Sequence, residues 1–214
     1  MPLLSNGLRR LFKGKPNQPT GWVKLFGLEH WWQDELNESD RQAVRSVDPE
    51  FDNANIISSG ANPAWMLLGI AIQLRKRSRS TSLRLIAKGE ELAGAGNAVI
   101  QHFFYSELIR FYYPDRDAIS GALESAIRTC QRQIAISPKV IAAMQRDDPK
   151  LGAPGAISHR GYKQLAIIYE KQDRFRDARS VAAQAKEAGW AGDWDNRIAR
   201  LEKKIAKTDD QGEA

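Results

Sequence analysis

Apolar residues recur every three or four positions along most of this chain, and nowhere do apolar and polar residues alternate long enough to mark a strand. The spacing predicts helices over 64–74, 80–95, 98–113, 118–136, 140–146, 159–171, 175–188 and 194–206. Breaks fall where turn chemistry puts them. Pro114 interrupts one helix, Ser137-Pro138 ends another, and a Gly/Pro loop covers 149–155. Upstream, 27–47 reads as helical, with Ser39 as cap and Asp40 in the first turn after it. Trp22, Trp31 and Trp32 crowd this segment, and aromatics of that size are expected to pack against the main body. Residues 48–60 read as a loop, and 1–21, with Gly7, Gly14, Pro16, Pro19 and Gly21, as a flexible leader holding one short amphipathic turn near 3–12.

Helix pairs joined by short turns invite a search for repeats. Tyr162, Leu165, Ala166 and Tyr169 stand at spacings of three, one and three, followed by Phe175, Ala178, Ala182 and Ala185. Trp65, Leu68, Gly69 and Ile72 repeat the first spacing, with Leu85, Gly89 and Leu92 after them. Tyr105, Leu108, Ile109 and Tyr112 repeat it again, with Leu123, Ile127 and Cys130. This pattern resembles the signature of the tetratricopeptide-repeat (TPR) family, Trp-x2-Leu-Gly-x2-Tyr on the first helix and small residues on the second. Trp190 stands where that family often has proline. The resemblance covers about 62–207 and implies an all-α, TPR-like stack of helical hairpins, about three pairs plus a C-terminal capping helix. On that cap, Trp194, Ile198, Leu201 and Ile205 form the inner stripe, and Arg197, Arg200, Glu202, Lys203 and Lys204 the outer face. The small residue at Gly69 and Ala166 is expected to let two backbones approach. The resulting division is a basic leader at 1–21, a Trp-rich helical segment at 22–60 packed on the body, a TPR-like domain at 61–207 and a disordered tail at 208–214.

Composition adds charge to this picture. The chain has 214 residues, 42% of them hydrophobic and 27% charged, with a net charge of +6. Arg9, Arg10, Lys13, Lys15 and Lys24 carry five of those six charges within 1–28, which holds no acid. A second acid-free stretch, 53–89, carries Arg75, Lys76, Arg77, Arg79, Arg84 and Lys88. Such stretches either form solvated faces or attract polyanions. The lone cysteine, Cys130, cannot form an internal disulfide, so a reducing, cytoplasmic setting is expected. Cys130 lies on an apolar stripe and reads as a structural thiol.

Catalytic signatures are absent from the linear pattern. His30, His102 and His159 have no metal-like spacing, and no glycine-rich phosphate loop follows a strand. The expectation is a non-catalytic adaptor, without cofactor or metal, that holds a protein or peptide partner in the concave groove. The resemblance places Gln73, Phe103, Ser106, Arg110, Tyr113, Arg160, Lys163, Ile167 and Glu170 along that groove, beside Met66 and Ile70. Arg110, Arg160 and Lys163 suit a carboxylate or an acidic peptide. The asparagines that some peptide-clamping TPR domains use are absent from these places. The alternative is a nucleic-acid binder using the basic leader, the 75–88 stretch and stacking by Trp22, Trp31 and Trp32. Peripheral membrane contact through Leu3, Leu4, Leu8, Leu11 and Phe12 is not favoured.

Overall fold

The structure is a computed structural model that describes residues 18–56 and 60–212. The leader's amphipathic turn at 3–12 lies outside the described residues. Helices dominate, and the only β pairing among the described residues is an isolated bridge between Ser158 and Ala191. The protein is an all-α helical stack. No described helix is long and apolar enough to cross a membrane. The chain divides into two compact units, 1–91 and 92–214. The first repeat-like pair therefore falls in the same unit as the Trp-rich segment, whereas the repeat pattern groups it with 61–207.

In the first unit, α1 (Gly21–Leu25) is pinned to the loop after α2 by backbone bonds. Thr20 N–H donates to Asp52 O (2.7 Å) and Gly21 N–H to Ala54 O (2.7 Å). Gly21 has φ +59°, and a Cβ there would lie 2.6 Å from Glu50 O, so only glycine fits. One π-helical turn, Trp31–Glu35, buries both tryptophans, and Trp32 packs on Phe51 at 5.2 Å. α2 (Glu38–Arg45) starts one position pair earlier than the sequence predicts: its N-cap is Asn37, not Ser39. Asn37 Oδ1 accepts from Asp40 N–H (2.9 Å), and Asp40 Oδ2 accepts from Asn37 N–H (3.2 Å), a reciprocal capping box. The second carboxylate oxygen of Asp40, which is buried, accepts from Thr81 Oγ1 (2.7 Å) of α4 (Arg79–Gly94).

α3 (Pro63–Leu74) covers the helix predicted over 64–74; its cap, which the spacing did not mark, is Asn62, with Pro63 in the first position. Its buried stripe differs from the repeat pattern. Ala64, Leu67, Leu68, Ala71 and Leu74 turn inward, while Ile72 is 44% exposed and Gly69 faces open space. Gly69 therefore permits no close backbone approach. The close contact comes instead at Ala71, whose carbonyl accepts from the buried Ser82 Oγ (2.6 Å).

The second unit runs α5 (Ala98–Tyr112), α6 (Ala122–Ala135), α7 (Ser137–Asp147), α8 (Arg160–Lys171), α9 (Phe175–Glu187) and α10 (Trp194–Gly212). Asn97 caps α5, and a 3-10 turn at Tyr113–Asp115 forms at Pro114. Pro138 does not merely end α6; it occupies the first turn of α7, where a missing N–H costs nothing. α10 continues to Gly212, past residue 207 where the sequence pattern stopped it. α5 pairs with α6, α8 with α9, and α10 closes on α9, while α6 packs on α8. Ala166 of α8 and Ala178, Ala182 and Ala185 of α9 are fully buried, so these two helices meet through small residues. Tyr162, Leu165, Val181, Trp190 and Trp194 fill the same core.

Candidate functional site

The site grows from the N-terminal end of α8. Its cap is His159, whose Nδ1 accepts from Tyr162 N–H (3.3 Å). That leaves Nε2 to carry the hydrogen and donate to Gln133 O (3.3 Å), so the network assigns a neutral ring with its proton on Nε2. Gln133, buried on α6, spends its whole amide here. Its Nε2 donates to His102 O (2.7 Å) and Ser106 Oγ (2.8 Å), and its Oε1 accepts from Gly161 N–H (2.7 Å). A Cβ on Gly161 would sit 2.8 Å from that Oε1 and 2.9 Å from Cys130 O, so glycine is required for α6 and α8 to approach this closely.

Two histidines remote in sequence meet in this network. His102 and His159 lie 4.9 Å apart edge to face, and His102 stacks on Trp190 at 5.2 Å with rings 6° from parallel. Burial holds His102 down to about 4, and burial with the neighbouring His102 ring holds His159 down to about 3. Both are neutral at pH 7. Burial pushes the Cys130 thiol up to about 12, so it stays protonated and unreactive. No group of three or more His, Cys, Asp or Glu suited to a metal occurs among the described residues. This cluster is a scaffold. Trp190 Nε1–H donates to Ser137 Oγ (2.8 Å), Trp194 Nε1–H to Trp190 O (2.7 Å) and Ala191 N–H to Ile157 O (2.9 Å). The first ties the loop before α10 to the start of α7, the second closes that loop on α10, and the third joins it to the loop before α8.

Between α8 and α10 lies a cleft of about 430 Å³. Its α8 wall presents Arg160, Lys163, Gln164 and Ile167, at the spacing of one helical face. Its α10 wall presents Asp193, Arg197 and Arg200. Cations outnumber acids four to one among these lining residues, and both helix N-termini add positive field at the same end. Arg160 and Lys163 are exposed and make no ion pair among the described residues. Gln164 Nε2 is buried in the wall with no hydrogen-bond partner. Arg197 and Arg200 are already engaged. Glu170 accepts from Arg197 Nη1 (3.1 Å), Arg200 Nη2 (3.0 Å) and Lys204 Nζ (3.1 Å), with only 16% of its side chain exposed. Arg200, then Lys204, hold the Glu170 carboxyl below the usual range against the opposing effect of burial.

Of the residues expected along the groove, Arg160, Lys163 and Ile167 line this cleft together. Glu170 does not offer a free acid; it is consumed by α10. Ser106 points inward to Gln133, because the buried amide needs an acceptor there. Phe103 is 40% exposed on α5. Arg110 is paired with Glu107 (3.3 Å), and Tyr113 lies beneath Arg116 at 4.5 Å. Gln73 lies in the first unit, in a shallow groove with Trp65, Met66 and Gly69. Sequence reasoning missed Gln133, the histidine pair and the inward role of Arg197 and Arg200. The spacing of Arg197, Arg200 and Lys204 was visible as one face of α10, but nothing in sequence marked Glu170 as its counterpart.

The basic stretch 75–88 is partly neutralised: Arg84 pairs with Asp40 (3.4 Å) and Lys88 with Glu91 (2.8 Å). Trp31 and Trp32 are core residues and present no ring face for a base, which removes them from the nucleic-acid alternative. Compared with family models, with curated proteins and with solved structures, the chain shows no match.

Proposed function

We propose that this protein is a non-catalytic, TPR-like adaptor that holds an acidic segment of a protein partner in the cleft between α8 and α10. The observation that carries the reading is the pair of unpaired cations, Arg160 and Lys163, at the head of a cleft where cations outnumber acids. Support for the TPR-like part comes from the hairpin order α5/α6, α8/α9 and α10, and from the buried small residues that join α8 to α9. The cleft also offers apolar surface at Ile167, so a ligand with an acid beside an apolar residue gains from both.

A labelled peptide bearing one glutamate among apolar residues, followed by fluorescence anisotropy, tests this. Binding should weaken about tenfold in Arg160→Glu and in Lys163→Glu, and should fall as salt is raised, because exposed charges are screened over about 10 Å at 0.1 M. Unchanged affinity in both folded variants would remove the cleft as the site.

A further inference from the structure

Four hydroxyls crowd the turn before α4 and its first turn: Ser78, Ser80, Thr81 and Ser82. Three of them are spent. Thr81 Oγ1 gives its hydrogen to the buried Asp40 (2.7 Å), so Ser78 Oγ is the donor in the bond it shares with Thr81 (2.8 Å). Ser82 Oγ donates to Ala71 O (2.6 Å), and both Thr81 and Ser82 are buried. Ser80 alone is exposed, and its Oγ has no partner among the described residues.

Positive charge surrounds this hydroxyl. Arg77 stands three positions before it and Lys76 four, both exposed, in a stretch from 75 to 88 that holds six cations and no acid. Arg84 stands one turn after it on the same face of α4. Its side chain is 52% exposed and held by long contacts, 3.4 Å to Asp40 and 3.4 Å to Glu35 O. Helical side chains lean toward the N-terminus, which carries Arg84 back over Ser80. Ser80 also lies in the first turn of a 16-residue helix, where the backbone field favours an anion.

We propose that Ser80 is a phosphorylation site, the substrate of a serine kinase that selects arginine three residues before its target. Ser80 Oγ attacks the γ-phosphorus of ATP. The Oγ–P bond forms as the bond to the bridging oxygen of ADP breaks, the hydroxyl proton passes to the kinase's base, and ADP leaves. The product adds about two negative charges and three acceptor oxygens at the end of α4 that favours them. Arg84 turns from its long contacts to the phosphate. The stretch 75–88 falls from six positive charges to about four, and its pull on any polyanion weakens. None of this depends on the cleft, whose residues belong to the second unit.

By sequence, Ser78 fits such a kinase equally, with Arg75 three positions before it. Structure separates the two. The Ser78 hydroxyl is bonded to Thr81, and its carbonyl accepts from Ser82 N–H (2.9 Å) at the opening of α4. The full-length protein, treated with ATP and a purified kinase of that class and mapped by mass spectrometry, should gain a single phosphate, on Ser80. Ser80→Ala should abolish the gain, and Ser78→Ala should leave it unchanged. No incorporation, or incorporation on Ser78, overturns the proposal. Phosphorus NMR then reads the second ionisation of the phosphate, which lies at about 6 when free. It should be lower in the phosphorylated intact protein than in phosphorylated Arg84→Gln, by about half a unit, because a neighbouring guanidinium favours the dianion. Equal values would overturn the capture by Arg84.

Discussion

At the scale of single residues, Gln133 does the most to define the second unit. Its three hydrogen bonds join α5, α6 and α8 inside a region closed to water. Gln133→Leu keeps the volume but strands Gly161 N–H and removes the donor to His102 O and Ser106 Oγ, and should cost about 2–3 kcal/mol in urea denaturation. Gly161→Ala should destabilise by about 1–3 kcal/mol, since the neighbours its Cβ would strike include a backbone carbonyl that cannot swing aside. The paired histidines give a pH dependence. Folding depresses both from 6.5, to about 4 for His102 and about 3 for His159, so between those values the unfolded chain binds the extra protons. Their contribution to stability is fully kept above pH 6.5, is lost as the pH falls below it, and stops changing below about 3. At pH 5 the loss is on the order of 2 kcal/mol per histidine. His102→Phe retains a ring to stack on Trp190 without titrating, so the difference in urea midpoint between pH 7 and pH 5 should shrink in that variant. An equal difference in both proteins would show that the pair does not titrate on unfolding.

Among the elements, the capping of α2 separates the sequence pattern from the fold. Ser39 has the right chemistry for a cap, but the helix begins at Glu38 because Asn37 and Asp40 satisfy each other's backbone donors. Ser39→Ala should therefore change stability by less than about 0.5 kcal/mol, while Asp40→Ala should cost about 2–3 kcal/mol by removing the box and the Thr81 acceptor together. Comparing the two by thermal melting decides which cap operates. Helix positions were legible because each buried face follows a three-to-four spacing, and α8 illustrates it best, with Tyr162, Leu165 and Ala166 all inward. The same spacing misled on α3. There Trp65, Leu68, Gly69 and Ile72 fit the repeat signature, yet the helix is apolar nearly all round, and packing chose the stripe through Leu67, Leu68 and Ala71. Half of the cleft was legible for the same reason: Arg160, Lys163 and Ile167 share one face of one helix. The α10 wall and the scaffold beneath were not, since they depend on partners drawn from α5, α6 and the loops before α8 and α10.

For the whole molecule, every residue that builds the cleft and its scaffold belongs to 92–214, from His102 through Lys204. The core of that unit closes on itself, from Ile109 and Cys130 to Trp190 and Trp194. A domain with its own core is expected to fold alone. The natural cut falls after Gly94, where α4 ends and before Asn97 caps α5, so the cap hydrogen bond to Ile100 N–H (2.9 Å) is retained. The cut removes the bond from Gln101 Nε2 to Gly94 O, which is exposed and contributes little. Residues 95–214 should therefore be helical by circular dichroism, melt in one cooperative transition, and bind the peptide bearing one glutamate with a Kd within about threefold of the full chain. A folded fragment that has lost the affinity would move the binding surface out of the cleft. A fragment that does not fold would show that the cluster around Trp190 is too small to stand alone, and that the pair Arg160 and Lys163 is presented only by the complete protein.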